Sequence, residues 1–306
     1  MTLRNRTYWL RLGLFFIVTT AVALFSLPYL LGAITVWGLI YAPCFGDGPD
    51  PANFGINREA VLIPTRQGPG FRAFFIPSRN GVTIIHPPAV SNGRNSRWAE
   101  TRLLVNQGYG LLTFEARRCA GLGPFTLGYA EIEQVAEALA YLQTRPDVDP
   151  NRIGIYGFSS AGATAIMAAA RHPEIKAVAA EGGYGDFAAD TLGEPRSGGL
   201  TGLVERGYIA AFRPVYEGAT GLDLDRLSPV SVIDQIAPRP ILLIYGDQEV
   251  SLAGGQAQYA AAGANAQLWI VPGAGHGNYS AVAPEQYEAR LVGFFDAAFG
   301  VGENSE

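Results

Sequence analysis

The sequence predicts an α/β fold: a mostly parallel central sheet with helices on both faces, preceded by an N-terminal transmembrane segment. Three observations predict it. Short apolar runs alternate with helical patterns from about residue 60 to residue 299, the sequence form of βαβ units. The stretch "RIGIYGFSSAGATAIMAAAR" sets two serines between a strand pattern and a helix pattern. No charged residue occurs between Leu12 and Gly46.

Residues 1–11 form a short basic N-terminus and residues 12–41 a membrane anchor, because a span of the hydrocarbon core needs only about 20 apolar residues. Pro28 and Gly32 are tolerated inside such a helix. A signal peptide cleaved after "AVA" at 21–23 is the rival reading, but cleavage there leaves "LFSLPYLLGAITVWGLIY" attached. Pro43 before Cys44 argues against a lipoprotein signal, and the length of the run leaves one or two passes open. Arg4, Arg6 and Arg11 precede the run, whereas Asp47 and Asp50 follow it, so a single pass places the N-terminus in the cytoplasm and the remainder outside.

A Pro/Gly/Asp-rich linker over 42–58 leads to a domain at 59–300, with a tail at 301–306. Strands are expected at 60–64, 71–77, 82–86, 110–116, 152–157, 175–181, 241–246 and 267–273, the first two as a hairpin around "RQGPG". Helices are expected near 97–107, 128–144, 160–171, 253–262 and 284–299. Residues 182–236 read as a cap-like insertion over the carboxyl edge of the sheet, where open α/β folds bind ligands. Tyr184, Phe187, Tyr208 and Phe212 in it suggest an apolar pocket or simple packing onto the sheet.

Beyond Gly46 there are 19 basic and 27 acidic residues, a formal charge of −8 that speaks against a nucleic-acid partner. Cys44 and Cys119 are too few for a disulfide framework or a zinc site. Two unpaired thiols are the simpler reading, and one bridge in an oxidising compartment is the other.

A serine between a strand and a helix is the setting of a nucleophile elbow, in which small residues two positions to either side avoid a clash. Those positions are Gly157 and Ala161 for Ser159, but Phe158 and Gly162 for Ser160, so sterics select Ser159. Serine also favours helix N-caps, which is the alternative for both. The histidines are His86, His172 and His276. His86 precedes the serine, against the order serine, acid, histidine, and His172 ends the helix of the elbow as a solvated residue. His276 directly follows the last predicted strand, and Asp247 and Glu249 both follow the strand at 241–246.

With these residues in place, the chain resembles the α/β-hydrolase superfamily over about residues 60–299, especially its dienelactone-hydrolase-like and prolyl-oligopeptidase-like branches. "DPNRIGIYGFSSAG" resembles the elbow, "APRPILLIYGDQE" the acid strand and "VPGAGHG" the histidine loop. The resemblance implies an acid three residues after Gly246, which is Glu249, with Asp247 as the alternative. Members also carry His-Gly after the third strand, followed by an oxyanion-binding amide. Here Pro87 replaces that glycine, and Pro88, which has no N–H, occupies the donor position. The oxyanion candidates are therefore the amides of Ser160 and Ala89. In "FEARRCAGLG", Glu115 and Arg117 match the family in character, whereas Arg118 and Ala120 replace glycines. A solvated Arg118 is the simpler reading; Arg118 and Cys119 facing the pocket is the other.

The expected function is a membrane-anchored serine hydrolase that cleaves carboxylic ester or related acyl bonds through Ser159, His276 and Glu249. No metal or organic cofactor is implied, and the partner is a small acyl substrate, apolar or lipid-like. The alternatives are an acyltransferase, or a hydrolase-like binding module disabled by the proline pair and the replaced glycines.

Overall fold

The computed structural model describes residues 3–44, 46–66, 68–90 and 93–302. Residues 1–2, 45, 67, 91–92 and 303–306 lie outside the described residues, and with them parts of the expected basic tail, linker, hairpin turn, oxyanion loop and C-terminal tail.

Eight apolar runs become strands: β1 Glu59–Ile63, β2 Phe71–Ile76, β3 Thr83–His86, β4 Gly110–Phe114, β5 Ile153–Phe158, β6 Ile175–Glu181, β7 Ile241–Gly246 and β8 Ala266–Val271. They form one sheet in the order β1-β2-β4-β3-β5-β6-β7-β8. β2 runs antiparallel to β1 and β4, and every other neighbour pair is parallel, so the sheet is mixed. The expected pairing of the first two strands is present, with Glu59 opposite Phe75 and Ile63 opposite Phe71. β3, β4 and β7 are buried at every residue, as strands covered on both faces must be.

The helices are α1 Leu3–Ile40, α2 Trp98–Asn106, α3 Glu131–Gln143, α4 Ser160–Arg171, α5 Phe187–Thr191, α6 Gly199–Thr220, α7 Leu252–Ala262, α8 Tyr279–Val282 and α9 Pro284–Phe299. α2 and α9 cover part of the sheet through Trp98, Leu104, Leu291 and Phe295, all buried with Ile84, Leu111 and Trp269. Leu, Ile and Phe side chains of this kind contribute about 1.5–3 kcal/mol each when fully buried.

The chain divides into two units. One holds the sheet, at 41–190 and 225–306; the other holds 1–40 and 191–224, which include α1 and α6. Of the segment 182–236, residues 191–224 belong with α1 in the smaller unit, and the flanks belong with the sheet. Within the smaller unit α1 packs on α6, and a Cβ on Gly32 would lie 2.5 Å from Gly207 O. α1 buries Pro28, Gly32, Val36 and Ile40, a stripe repeating every fourth residue, while Leu10, Leu14, Ile17 and Val22 are exposed.

The expected linker is tied down rather than free. Arg94 pairs with Asp47 and Arg58 with Asp50, each at 2.5 Å, and Gly48 N–H donates to Arg94 O. Arg58 and the backbone amide of Ala52 hold the Asp50 carboxyl down at about 2. Pro51–Phe54 forms a 3₁₀ turn. Cys44 and Cys119 form a disulfide, which corrects the reading of two unpaired thiols. Arg118 is not free either, since its Nε donates to Ala42 O.

Candidate active site

β5 ends at Phe158 and α4 begins at Ser160, so the chain must reverse within one residue. That residue is Ser159, at φ 58° and ψ −128°, a left-handed region costly for any side chain with a Cβ. The turn closes so tightly that a Cβ on Gly157 would fall 2.1 Å from Ala161 O. Ala161 itself is buried and accommodated. Ser159 N–H donates to Glu181 O at 2.7 Å, which fixes the elbow to the end of β6. Ser159 makes no side-chain cap for α4, so its hydroxyl is not used as a helix cap.

The hydroxyl meets His276 instead. His276 Nε2 lies 3.1 Å from Ser159 Oγ, and its Nδ1 lies 2.9 Å from Glu249 Oε2. The tautomer that donates Nδ1–H to the carboxylate leaves Nε2 as acceptor for the serine proton. Glu249 is 8% exposed and accepts two further hydrogen bonds, from Gly246 N–H at 2.7 Å and from Tyr279 O–H at 2.8 Å. Burial and the neighbouring Glu249 raise the Tyr279 pKa, which keeps that phenol a donor. Asp247, the alternative acid, accepts from Gly273 N–H in the turn after β8. The structure therefore brings Ser159, His276 and Glu249 together and leaves Asp247 in a turn.

Ser160 opens α4, where a helix leaves its first amides without intrahelical acceptors. Its Oγ is buried without a hydrogen-bond partner among the described residues. Ala89 is 8% exposed in the segment after β3, and Val90 beside it has φ 44°. His86 is buried, stacks on Tyr156 at a centroid distance of 5.1 Å and bonds Tyr156 O through Nδ1. His172, expected to be solvated, is half-buried, and burial lowers its pKa. Of the four aromatic residues of the expected insertion, Tyr184 and Phe187 pack edge to face in one unit and Tyr208 and Phe212 in the other. Among the described residues no three His, Cys, Asp or Glu side chains are grouped to hold a metal ion.

Sequence reasoning missed a buried polar cluster behind the histidine. Glu181, fully buried, accepts from Tyr156 O–H at 3.1 Å and from Tyr287 O–H. Arg97 Nη2 stands 3.7 Å from Glu181 and 2.9 Å from Glu100. One signal was available: Glu181 is a lone acid closing the otherwise apolar half-strand "AVAAE". Its pKa is raised to about 7 by burial, with Arg97 and Tyr287 working in the opposite direction.

A mixed eight-stranded sheet with a strained serine between β5 and α4 defines the α/β-hydrolase class. The family model for the prolyl oligopeptidase family matches residues 120–302, and the chain belongs to that family of serine hydrolases. It is 26% identical over 309 aligned residues to uncharacterized protein PA2218 of Pseudomonas aeruginosa, covering 80% of this chain and 82% of that protein. It is 31% identical to thiohydrolase apmlB of Arthrinium phaeospermum over a shorter stretch, covering 40% of this chain and 42% of that one. Among solved structures, the Pyrococcus furiosus esterase Pf2001 superposes with a TM-score of 0.67 at 22% identity, covering 83% of this chain and 98% of that one, a likeness of fold.

Proposed function

We propose that the chain is a membrane-anchored serine hydrolase that cleaves carboxylic ester or related acyl bonds. The observation that carries this is the continuous relay Glu249–His276–Ser159, at 2.9 and 3.1 Å, ending on a serine in strained backbone geometry. In this reading Ser159 Oγ attacks the acyl carbonyl while His276 Nε2 takes its proton, and Glu249 orients the imidazole and offsets its developing charge. The amide of Ser160 and that of Ala89 face the developing oxyanion. His276 then returns the proton to the leaving group, and water repeats the sequence to free the acid. The substrate is a small acyl compound, and the name of the thiohydrolase relative adds thioesters to the bonds worth assaying.

α1 is long and apolar enough to be a membrane anchor or a signal sequence, and an anchor with the enzyme outside the cytoplasm fits two features. Arg4, Arg6 and Arg11 lie before the apolar run, and the Cys44–Cys119 disulfide suits an oxidising compartment.

The test is labelling of the full chain in detergent by a fluorophosphonate, with Ser159→Ala and Ser160→Ala beside it. Labelling lost only in Ser159→Ala supports the reading, and a panel of esters and thioesters follows. A folded wild-type chain that does not label favours the second reading, a binding module without turnover. The observation behind that reading is Pro88, which has no N–H to offer at the oxyanion position. Loss of one oxyanion donor typically costs about 10²–10³ in rate.

A further inference from the structure

Arg97 is in an electrostatically awkward place. It is the N-cap residue of α2, where the helix dipole disfavours a cation, and it makes no side-chain cap there. Its side chain is 17% exposed, and its Nε is buried without a hydrogen-bond partner among the described residues. A residue placed against these costs is held by something else.

What holds it is the ground around His276. The guanidinium carbon lies 4.2 Å from the centroid of the Phe158 ring, and on Phe158 the His276 ring packs with centroids 4.8 Å apart. Arg97 Nη1 donates to the carbonyl of Gly277, the residue after the histidine, at 3.2 Å. Gly277 has φ 85°, and a Cβ there would lie 2.6 Å from Phe158 Cζ, so the loop can sit this close only as glycine. One turn along α2, Glu100 pairs with Arg97 and accepts from Ser280 O–H at 2.9 Å. The first turn of α2 thus grips the histidine loop on both sides of Asn278. Burial opposes the charge of Arg97, and the neighbouring carboxyl groups of Glu100 and Glu181 favour it.

We propose that Arg97 is a positioning residue for His276, fixing the plane and reach of the imidazole through Phe158 and the Gly277 carbonyl. This rests on the reading of His276 as the general base of Ser159. A planar fork is needed, since one edge must reach Gly277 while the face covers the Phe158 ring, and an ammonium provides neither.

The test compares wild type, Arg97→Met, Arg97→Lys and Ser280→Ala in the full chain in detergent, with folding checked by circular dichroism and thermal midpoint. Short-chain p-nitrophenyl esters give kcat and KM, and the downfield proton resonance of His276 Nδ1–H gives the histidine geometry without turnover. The expected result is a fall in kcat of about 10²-fold for Arg97→Met, with KM within about twofold, because small misplacements of a reacting group have costs of that size. Arg97→Lys falls by at least tenfold, Ser280→Ala falls less, and the Nδ1–H resonance is lost or broadened in both Arg97 variants. If Arg97→Met does not fold, Arg97→Lys decides by the same two readouts. Folded variants that keep both kcat and the resonance overturn the proposal. A wild type that shows the resonance yet neither labels nor hydrolyses sinks the hydrolase reading instead, and the resonance in the variants still decides the positioning role.

Discussion

Gly157 and Ala161 meet across the elbow so closely that a methyl on Gly157 would fall 2.1 Å from the Ala161 carbonyl oxygen. The two small positions are therefore unequal. At 157 the missing Cβ makes room for a backbone carbonyl, whereas the Ala161 side chain is already packed and buried. Gly157→Ala should open the turn, displace Ser159 Oγ and reduce the rate of fluorophosphonate labelling by at least about 10²-fold. Ala161→Gly should keep labelling within a few-fold and cost about 1 kcal/mol from helix propensity. Equal loss in the two variants would contradict this asymmetry.

The acid is tested by removing charge from each candidate. Glu249→Gln leaves His276 Nδ1 without its carboxylate and should lower ester kcat by about 10³–10⁴-fold. Asp247→Asn disturbs only the turn at Gly273 and should stay within about threefold. Tyr279→Phe deletes one donor to Glu249 and leaves the other, Gly246 N–H, so a loss of about tenfold is expected. Steady-state kinetics on one chromogenic ester separates the three.

Between pH 4 and pH 7 two fully buried groups pull stability in opposite directions. Glu181 has its pKa raised from 4.5 to about 7 by burial, so the folded chain keeps a proton that the unfolded chain releases. Its contribution is complete below pH 4.5 and is lost as pH rises through 7. His86 is lowered from 6.5 to about 4, again by burial, so its contribution is present above pH 6.5 and is lost as pH falls through 4. Over the shared window the two slopes largely cancel. Glu181→Gln should expose the His86 slope, making the chain gain roughly 1–3 kcal/mol relative to wild type between pH 4.5 and 6.5. Thermal midpoints across that range check it, and parallel curves for variant and wild type would exclude it.

Much of this was legible because the physics was local. A strand run, a serine and an alanine-rich helix within 20 residues or so define an elbow, whereas the choice of Glu249 over Asp247 came from the family resemblance and not from local physics. What needed the structure was non-local. Cys44 and Cys119 are 75 positions apart, and nothing in their spacing encodes that they meet. Asp47 and Arg94, 47 positions apart, make the expected linker part of the sheet unit through another pairing remote in sequence. Gly202, Gly207 and Pro214 break up the helical signal after Gly182 and hid that α6 packs on α1, although its buried face runs through Gly207, Ala211, Phe212 and Tyr216. Arg97 was passed over because it stands with Arg94 and Arg102 in a charged stretch, and its contacts with Phe158 and Gly277 are remote in sequence.

The disulfide closes a long loop, and its loss should be felt in stability. Cross-links of this kind typically contribute about 2–5 kcal/mol, mainly by restricting the unfolded chain. The Cys44→Ser/Cys119→Ser double variant should lower the thermal midpoint by several degrees while leaving ester KM within about twofold, since neither sulfur belongs to the Ser159–His276–Glu249 relay. Reductant should reproduce the shift in wild type and have no further effect on the variant.

α1 is longer than a bilayer requires, and its two halves differ. From Tyr8 to Val22 its described side chains are almost all exposed, whereas from Pro28 onward every fourth residue is buried. Its partner α6 carries Glu205, Arg206, Arg213 and Glu217, too many charges for hydrocarbon when each costs about 2.5–3.5 kcal/mol at the bilayer centre. If α1 anchors the chain as proposed, the half that pairs with α6 stands outside the core. The stretch from Tyr8 to Leu27, about 20 residues, matches the thickness of the core by itself. In membranes of cells expressing the full chain, Val18→Cys should resist a membrane-impermeant maleimide until detergent is added. In the proposed topology, Ile34→Cys, whose native side chain is 60% exposed, should react from the outer side without it. Equal protection at both positions would contradict this placement of Ile34 outside the core on the outer side. Reaction at Ile34→Cys in a chain whose N-terminus begins beyond Ala23 would mean that α1 is cut as a signal sequence.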